Sequence, residues 1–424
     1  MEHIKIDCKS YNIHTIKTNR FKTTKIEVVF RMPIEKDNLG VSSFLSEVMA
    51  QSSKKYPNRR AMAIKLENLY KAYYYAYSNK VGNCLNFIFS IDFINPEFID
   101  DKTYLDDVIS FLCETITKPN VSAEEFDLDV FNIVKNSILI DIDSIEENAE
   151  KKAINNALIK MDDKSVSSFN VLGTKEDISK ITPSKLYDYY KSIMNNAMID
   201  FFVIGNTNMD NIVKLIKKRY INHKIRNQKI DYYIDNKTRK RFVTTKEASS
   251  FLQSQLVMIY NLDNLTKDEK EITFHLLNYI LGNGGLTSKL YRYIREENNY
   301  CYKVASMYFK YDNLLCIASS LSLENTEKAI KMVKKAIKEM QKGDFTEDDI
   351  KDAKRNLLLS LNVNKNNPYA ILSNYEFKYY IGNYDIEEKI DLIDKITKED
   401  IIRLAGKIKE NTIYILSEAA NERD

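Results

Sequence analysis

Gly40-Val-Ser-Ser-Phe-Leu-Ser-Glu-Val-Met-Ala-Gln-Ser-Ser-Lys-Lys-Tyr-Pro57 reads as one amphipathic helix with a marked entry and exit. Gly40 precedes it, Phe44 and Leu45 form an apolar pair within it, and Lys54-Lys55-Tyr56-Pro57 leads out of it. Ser43 and Glu47 stand one helical turn apart and so share a face, with Ser46 between them. These three side chains do not by themselves make a metal site. Catalytic zinc needs about three protein ligands, mostly His, Glu, Asp or Cys, and an open position for water. Serine is a poor zinc ligand, and Glu47 alone cannot hold the ion.

A second stretch carries chemistry of another kind. Leu281-Gly-Asn-Gly-Gly-Leu-Thr-Ser-Lys-Leu-Tyr-Arg-Tyr-Ile-Arg295-Glu-Glu-Asn-Asn-Tyr-Cys-Tyr302 places a glycine-rich turn before a helix, then a strand. Glycines at 282, 284 and 285 permit unusual dihedrals and close approach of another backbone. The Arg295 guanidinium and the Tyr302 phenol are donors suited to a peptide carbonyl and to the oxyanion that develops on it. The bland alternative makes Arg295 a surface ion-pair residue, Tyr302 a core residue and the glycines a turn between helices.

Together the two stretches resemble the inverzincin peptidases: pitrilysin, insulin-degrading enzyme and the mitochondrial processing peptidase. In that family the Gly40–Pro57 frame holds His-x-x-Glu-His, two zinc ligands with a general base between them. Here those five places are Ser43, Phe44, Leu45, Ser46 and Glu47, so both histidines and the base are missing. The third family ligand, a carboxylate on a later helix, falls nearest to Asp141. The resemblance also implies that Arg295 and Tyr302, with Gly284 and Gly285, hold substrate peptide near the scissile bond. A further departure lies at Leu69-Tyr-Lys-Ala-Tyr-Tyr-Tyr-Ala-Tyr77, where the family's edge strand opens after a Gly-Gly pair. This strand is either a re-purposed apolar groove or a plain strand with one tyrosine face inward.

The chain also reads as duplicated, independently of any family. Ile26–Met32 matches Leu256–Leu262 as a strand-like run. Ser122-Ala-Glu-Glu-Phe126 and Thr346-Glu-Asp-Asp-Ile350 each read as the capped start of a helix. Thr182 and Thr397 follow as caps in the same order, with Pro183 suited to the first helical position. Strands follow at Met198–Ile204 and Thr412–Leu416. Asn325–Gln341 has helical apolar spacing with Gly343 as terminator, and Tyr73–Tyr77 and Asn86–Phe93 read as strands. The expectation is an α+β protein of two homologous domains, 1–222 and 242–424, each a sheet with helices on one face, forming a clam-shell chamber. The basic linker 223–241 is better read as a solvated connector than as a grip for an acidic partner.

Length and composition agree with two cores: 424 residues, 44% hydrophobic, with 28 Tyr and 19 Phe. A net charge of +3 from 63 basic and 60 acidic residues gives no global field toward nucleic acid or membrane. No apolar run approaches the roughly 20 residues of a spanning helix. Five scattered cysteines without a Cys-x-x-Cys suit reduced thiols in a cytoplasmic protein. The four histidines form no zinc pair in sequence, no phosphate loop follows Gly285, and neither a nucleophile elbow nor a dinucleotide fingerprint occurs.

These readings converge on a zinc-free, proteolytically inactive subunit that needs no cofactor. Its expected partners are a zinc-bearing homologous subunit or a second copy, together with a peptide substrate. The resemblance is greatest to the bacterial subgroup associated with elongation-factor-P modification. Two other functions compete: a peptide-binding chaperone or scaffold with no proteolytic role, and an enzyme using Glu47, Asp141 and a hard cation. The last ranks lowest, because no base remains beside those carboxylates.

Overall fold

The computed structural model describes residues 2–222, 224 and 228–418. His223 and, within the basic linker, Arg226 lie outside the described residues. Two compact units form: residues 1–143, 170–232 and 368–372 make the first, and 144–169, 233–367 and 373–424 make the second.

In chain order the first unit begins with β1 (Glu2–Asp7), β2 (Asn12–Lys17) and β3 (Thr23–Pro33). Helices α1 (Leu39–Gln51) and α2 (Arg59–Asn68) precede the hairpin β4 (Tyr73–Val81) and β5 (Cys84–Ile94). Then come α3 (Tyr104–Thr117), a two-residue hairpin of β6 (Val121–Ser122) and β7 (Glu125–Phe126), and α4 (Leu128–Glu147). Helix α5 (Ala149–Met161) belongs to the second unit. The chain returns through α6 (Lys175–Ser179), α7 (Pro183–Asn196), β8 (Met198–Gly205) and α8 (Met209–Arg219).

The second unit runs through β9 (Val243–Ala248) and β10 (Ser254–Leu262) into a helical stretch of α- and π-type turns. That stretch contains α9 (Phe274–Asn278) and α10 (Lys289–Tyr291) and ends in a π-type turn at Arg292–Glu296. Next come β11 (Cys301–Phe309), β12 (Leu314–Leu321), α11 (Thr326–Lys342) and α12 (Glu347–Asn364). Helix α13 (Pro368–Ile381) starts in the first unit; α14 (Ile386–Ile393), α15 (Lys398–Ala405) and β13 (Ile408–Ser417) complete the second.

Strand order proves the repeat more firmly than any capping pattern. The first sheet runs β1-β2-β8-β3-β5-β4 and the second β9-β13-β10-β12-β11. With β9 matched to β2, every neighbour and every direction agrees: β2·β8 and β9·β13 are parallel, and the other shared pairs are antiparallel. Only β1 is extra.

Alternation along each strand sends one set of side chains into the helical layer. In the first unit Ile26, Val28, Phe30, Phe87, Phe89, Phe201 and Val203 enter a single large core with α1, α3 and α4. The opposite face there is polar. Lys25, almost fully buried, donates to Tyr75 Oη at 2.6 Å and Ser90 Oγ at 2.6 Å, pairs with Glu27 at 2.9 Å, and sits 3.8 Å from the Tyr369 ring centre. In the second unit that opposite face is apolar: Ala153, Ala157 and Met161 of α5 pack on Val257, Ile259, Cys316 and Tyr414.

Three expected caps hold. Thr182 accepts from the Lys185 amide, and Thr346 and Thr397 form reciprocal boxes with Asp349 and Asp400. Ser122 is a correction, since it lies in β6 and opens no helix. Ala123 and Glu124 take left-handed φ of 49° and 64° at the hairpin turn, and Asp127 caps α4 by accepting from the Val130 amide at 3.0 Å. A Ser-x-x-Glu pattern in four residues does not exclude a two-residue hairpin, whose turn demands positive φ at both central positions.

Candidate functional site

Helix α1 packs against β4 and β5 in the first unit. Its register is fixed at the start by Gly40, where a Cβ would stand 3.0 Å from the Leu172 carbonyl oxygen. Phe44 and Leu45 are fully buried, and the Phe44 ring packs 4.7 Å from that of Phe131 on α4. Ser43, Ser46 and Glu47 lie within about one turn of one another on this helix. The Ser43 hydroxyl donates to the Val171 carbonyl at 2.8 Å and lies 3.0 Å from Ser78 Oγ on β4. The Ser46 hydroxyl donates back to the Ser43 carbonyl at 2.8 Å. Both hydroxyls are engaged in holding backbone and neighbouring side chains.

Glu47 is half-buried, and its carboxyl is pushed up to about 7, first by burial and then by the nearby Asp141 carboxylate on α4. The Asp141 charge thus reaches Glu47, which shares α1 with Ser43 and Ser46. Zinc does not fit this donor set: two neutral hydroxyls already committed to backbone oxygens and two carboxyls that repel each other replace imidazoles and base. Among the described residues no group of three or more His, Cys, Asp and Glu side chains is arranged to hold a metal ion.

The second unit carries the other set. A Cβ on Gly282 would stand 2.6 Å from Leu290 Cδ1 and 2.7 Å from Ser306 Oγ; one on Gly284 would stand 2.7 Å from the Tyr279 carbonyl oxygen. Those two glycines serve packing within the turn. Gly285 differs, with φ +61° and open space around its Cα. Arg295 is exposed, its guanidinium carbon 5.1 Å from the Tyr291 ring centre. Tyr302 is 71% exposed on β11, an edge strand. Pairing with β12 shifts between Cys301 and Lys303, so Tyr302 is the extra residue of a bulge, a device that re-aims a side chain. No sequence signal marked that bulge.

Strand β4 is the matching edge of the first sheet. Tyr73, Tyr75 and Tyr77 line one face with ring centres 5.3 and 5.7 Å apart, while Tyr74 is buried and donates to the Met49 carbonyl at 3.3 Å. The buried Lys25 anchors Tyr75, and nothing in the sequence pattern distinguished Lys25 from a surface lysine.

Fold and residues together define a metallopeptidase architecture whose catalytic centre has been replaced. A family model described as the Peptidase M16 inactive domain matches residues 180–357. A Bacillus subtilis protein described as a probable inactive metalloprotease, YmfF, is 24% identical over 409 residues, 95% of this chain and 95% of that one. A conserved protein from Enterococcus faecalis covers 100% of both chains with a TM-score of 0.94 at 23% identity. A protease from Helicobacter pylori covers 98% of this chain and 99% of its own with a TM-score of 0.77 at 13% identity, a likeness of fold. The match over residues 180–357 and the likeness to the probable inactive relative along nearly the whole chain support a non-catalytic member of the M16 type, here without the zinc motif. Lacking both histidines and the general base, it has no zinc-peptidase chemistry of its own. Among the described residues no helix is long and apolar enough to cross a membrane.

Proposed function

We propose that this chain is the zinc-free subunit of a two-component peptidase. It binds an extended peptide through Arg295, Tyr302 and the Gly284–Gly285 turn, and completes the chamber of a zinc-bearing homologous subunit. The observation that carries the reading is an asymmetry of exposure. The hydroxyls at the lost zinc positions are tied to their own unit, whereas Arg295 and Tyr302 stand exposed, and the Tyr302 hydroxyl makes no hydrogen bond among the described residues. A phenol carried outward on a bulge and a guanidinium without an ion pair among the described residues are donors suited to the carbonyl of a bound peptide. The domains 1–222 and 242–424, joined by 223–241, would be the two walls that this subunit contributes.

The test is mixing. Alone the chain should cleave nothing; combined with a zinc-bearing homologue from the same genome it should associate and raise hydrolysis of peptides several residues long. Association without any gain in hydrolysis leaves the scaffold as the better description and removes the two-component peptidase.

A further inference from the structure

The first unit holds a cavity of about 660 Å³ that the proposed peptide-binding residues do not line. One wall is the β1–β2 edge, where Ile4 and Thr15 pair across the strands. A second is the turn Pro96–Phe98 after β5, and a third is the start of α8 with the loop before it. Two of these walls are held from behind. Asn95, fully buried, accepts from Thr24 Oγ1 at 2.7 Å and donates to the Phe21 carbonyl at 3.0 Å, which fixes the turn against the start of β3. The Asn208 side chain accepts from the Asn211 amide at 3.0 Å and caps α8. The volume lies in the range usual for small-ligand pockets.

The lining is acidic. Glu2, Glu97 and Asp210 share it with a single cation, Lys17, and among the described residues none of the four forms an ion pair. Glu97 accepts only a 3.4 Å bond from the Asn206 side chain. Apolar surface comes from Ile4, Pro96, Leu105 and Met209. Thr15 supplies the observation that points to a ligand. It is only 4% exposed, it lines the cavity, and its hydroxyl makes no hydrogen bond among the described residues. A hydroxyl so shielded from bulk water is unfavourable until a partner enters to meet it.

Charge and spacing decide which ligand fits. An anion does not, because three carboxylates stand against one amine and Asp210 already complements the start of α8. A compact metal ion does not, because among the described residues no three His, Cys, Asp and Glu side chains converge to hold one. Separated carboxylates on a partly apolar wall suit a cation whose charges are spread along a hydrocarbon stem. We propose that this cavity binds an aliphatic polyamine of the spermidine class. Its ammonium groups meet Glu97, Asp210 and the Thr15 hydroxyl, and its methylenes lie against Ile4, Leu105 and Met209. Lys17 opposes the ligand. Because the carboxylates are exposed, binding should be modest and weaken with salt. Arg295 and Tyr302 take no part, so the site stands or falls apart from the peptidase reading.

The test is titration calorimetry on the full chain at about 100 mM salt. The probes are spermidine, magnesium ion and a tri-lysine peptide of the same net charge as spermidine. Spermidine should bind once per chain, magnesium at equal concentration should not displace it, and tri-lysine should bind more weakly. Glu97→Gln and Asp210→Asn combined should cost at least about 10-fold in affinity, and Lys17→Gln should tighten it. Neutralising exposed Glu67 and Asp129 in the same way should change it less than about twofold. Thr15→Val should weaken binding at least about threefold yet leave the melting temperature equal or higher, since the hydroxyl has no protein partner to lose. Matched melting temperatures establish that both double variants fold. The proposal is overturned if spermidine fails to bind at millimolar concentration, if the two double variants lose affinity equally, if magnesium displaces spermidine, or if tri-lysine binds as tightly.

Discussion

The Glu47 carboxyl on α1 lies within reach of the Asp141 charge on α4, and burial first, then that charge, pushes its pKa up to about 7. Ionising Glu47 in this setting carries an electrostatic cost at neutral pH, from lost solvation first and from the Asp141 charge second.

That cost gives a pH signature. The folded-state pKa of Glu47 lies above its ordinary value near 4.5, so the native state binds this proton more tightly than the unfolded chain. Stability from this group is therefore fully present below pH 4.5 and is lost as pH rises toward about 7. Glu47→Gln should match the wild type in melting temperature near pH 4.5 and exceed it above pH 7. The gain should be about 1–2 kcal/mol once partial solvent exposure is allowed for. A difference that is flat with pH, or of opposite sign, would refute the assignment.

Metal content provides a second check. Elemental analysis of the dialysed chain should find no stoichiometric zinc, because Ser43 and Ser46 donate their protons to backbone carbonyls and cannot replace imidazoles. One zinc per chain, lost on Glu47→Ala or Asp141→Ala, would show that the carboxyl pair still recruits an ion.

Much of this architecture was legible in residues, and the reasons are local. Strands β3, β5, β8 and β13 are dense in β-branched and aromatic residues, and Thr182, Thr346 and Thr397 cap helices by interactions contained within four residues. The α1 frame was legible because Gly40 is forced by the close backbone of Leu172. What stayed hidden is non-local. Ser122 looked like a cap, yet Ala123 and Glu124 turn the chain without glycine, so no turn signal betrayed the hairpin. The grouping of α5 with the second sheet depends on Ala153, Ala157 and Met161 meeting residues far along the chain, Val257 through Tyr414. The Tyr302 bulge depends on pairing with β12, and the burial of Lys25 on what covers the sheet.

The three glycines of the second-unit turn should separate into two classes. Gly282→Ala forces a methyl into Leu290 and Ser306, and Gly284→Ala into the Tyr279 carbonyl; each should cost about 1–3 kcal/mol by denaturant unfolding. Gly285→Ala meets open space and bears only the left-handed φ, about 1–2 kcal/mol. If Gly285→Ala proves the most destabilising of the three, the turn is not as described.

Arg295 and Tyr302 should matter to the mixed activity and not to folding. Both are exposed, so Arg295→Ala and Tyr302→Phe should leave melting temperature within about 1–2 °C of wild type, as surface changes usually do. In the mixture with a zinc-bearing homologue, losing a donor aimed at a developing oxyanion typically costs about 10²–10³ in rate. Tyr302→Phe removes one hydroxyl and Arg295→Ala an entire guanidinium, so the arginine variant should be the slower of the two. Ser43→Ala is the control: it loses the hydrogen bond to Val171, about 1 kcal/mol of stability, and should leave the mixed rate nearly unchanged. A reversal of that order, with Ser43→Ala crippling the mixture and Arg295→Ala silent while still associating, would place the working surface at the old zinc helix. The division of labour between the two subunits would then be wrong.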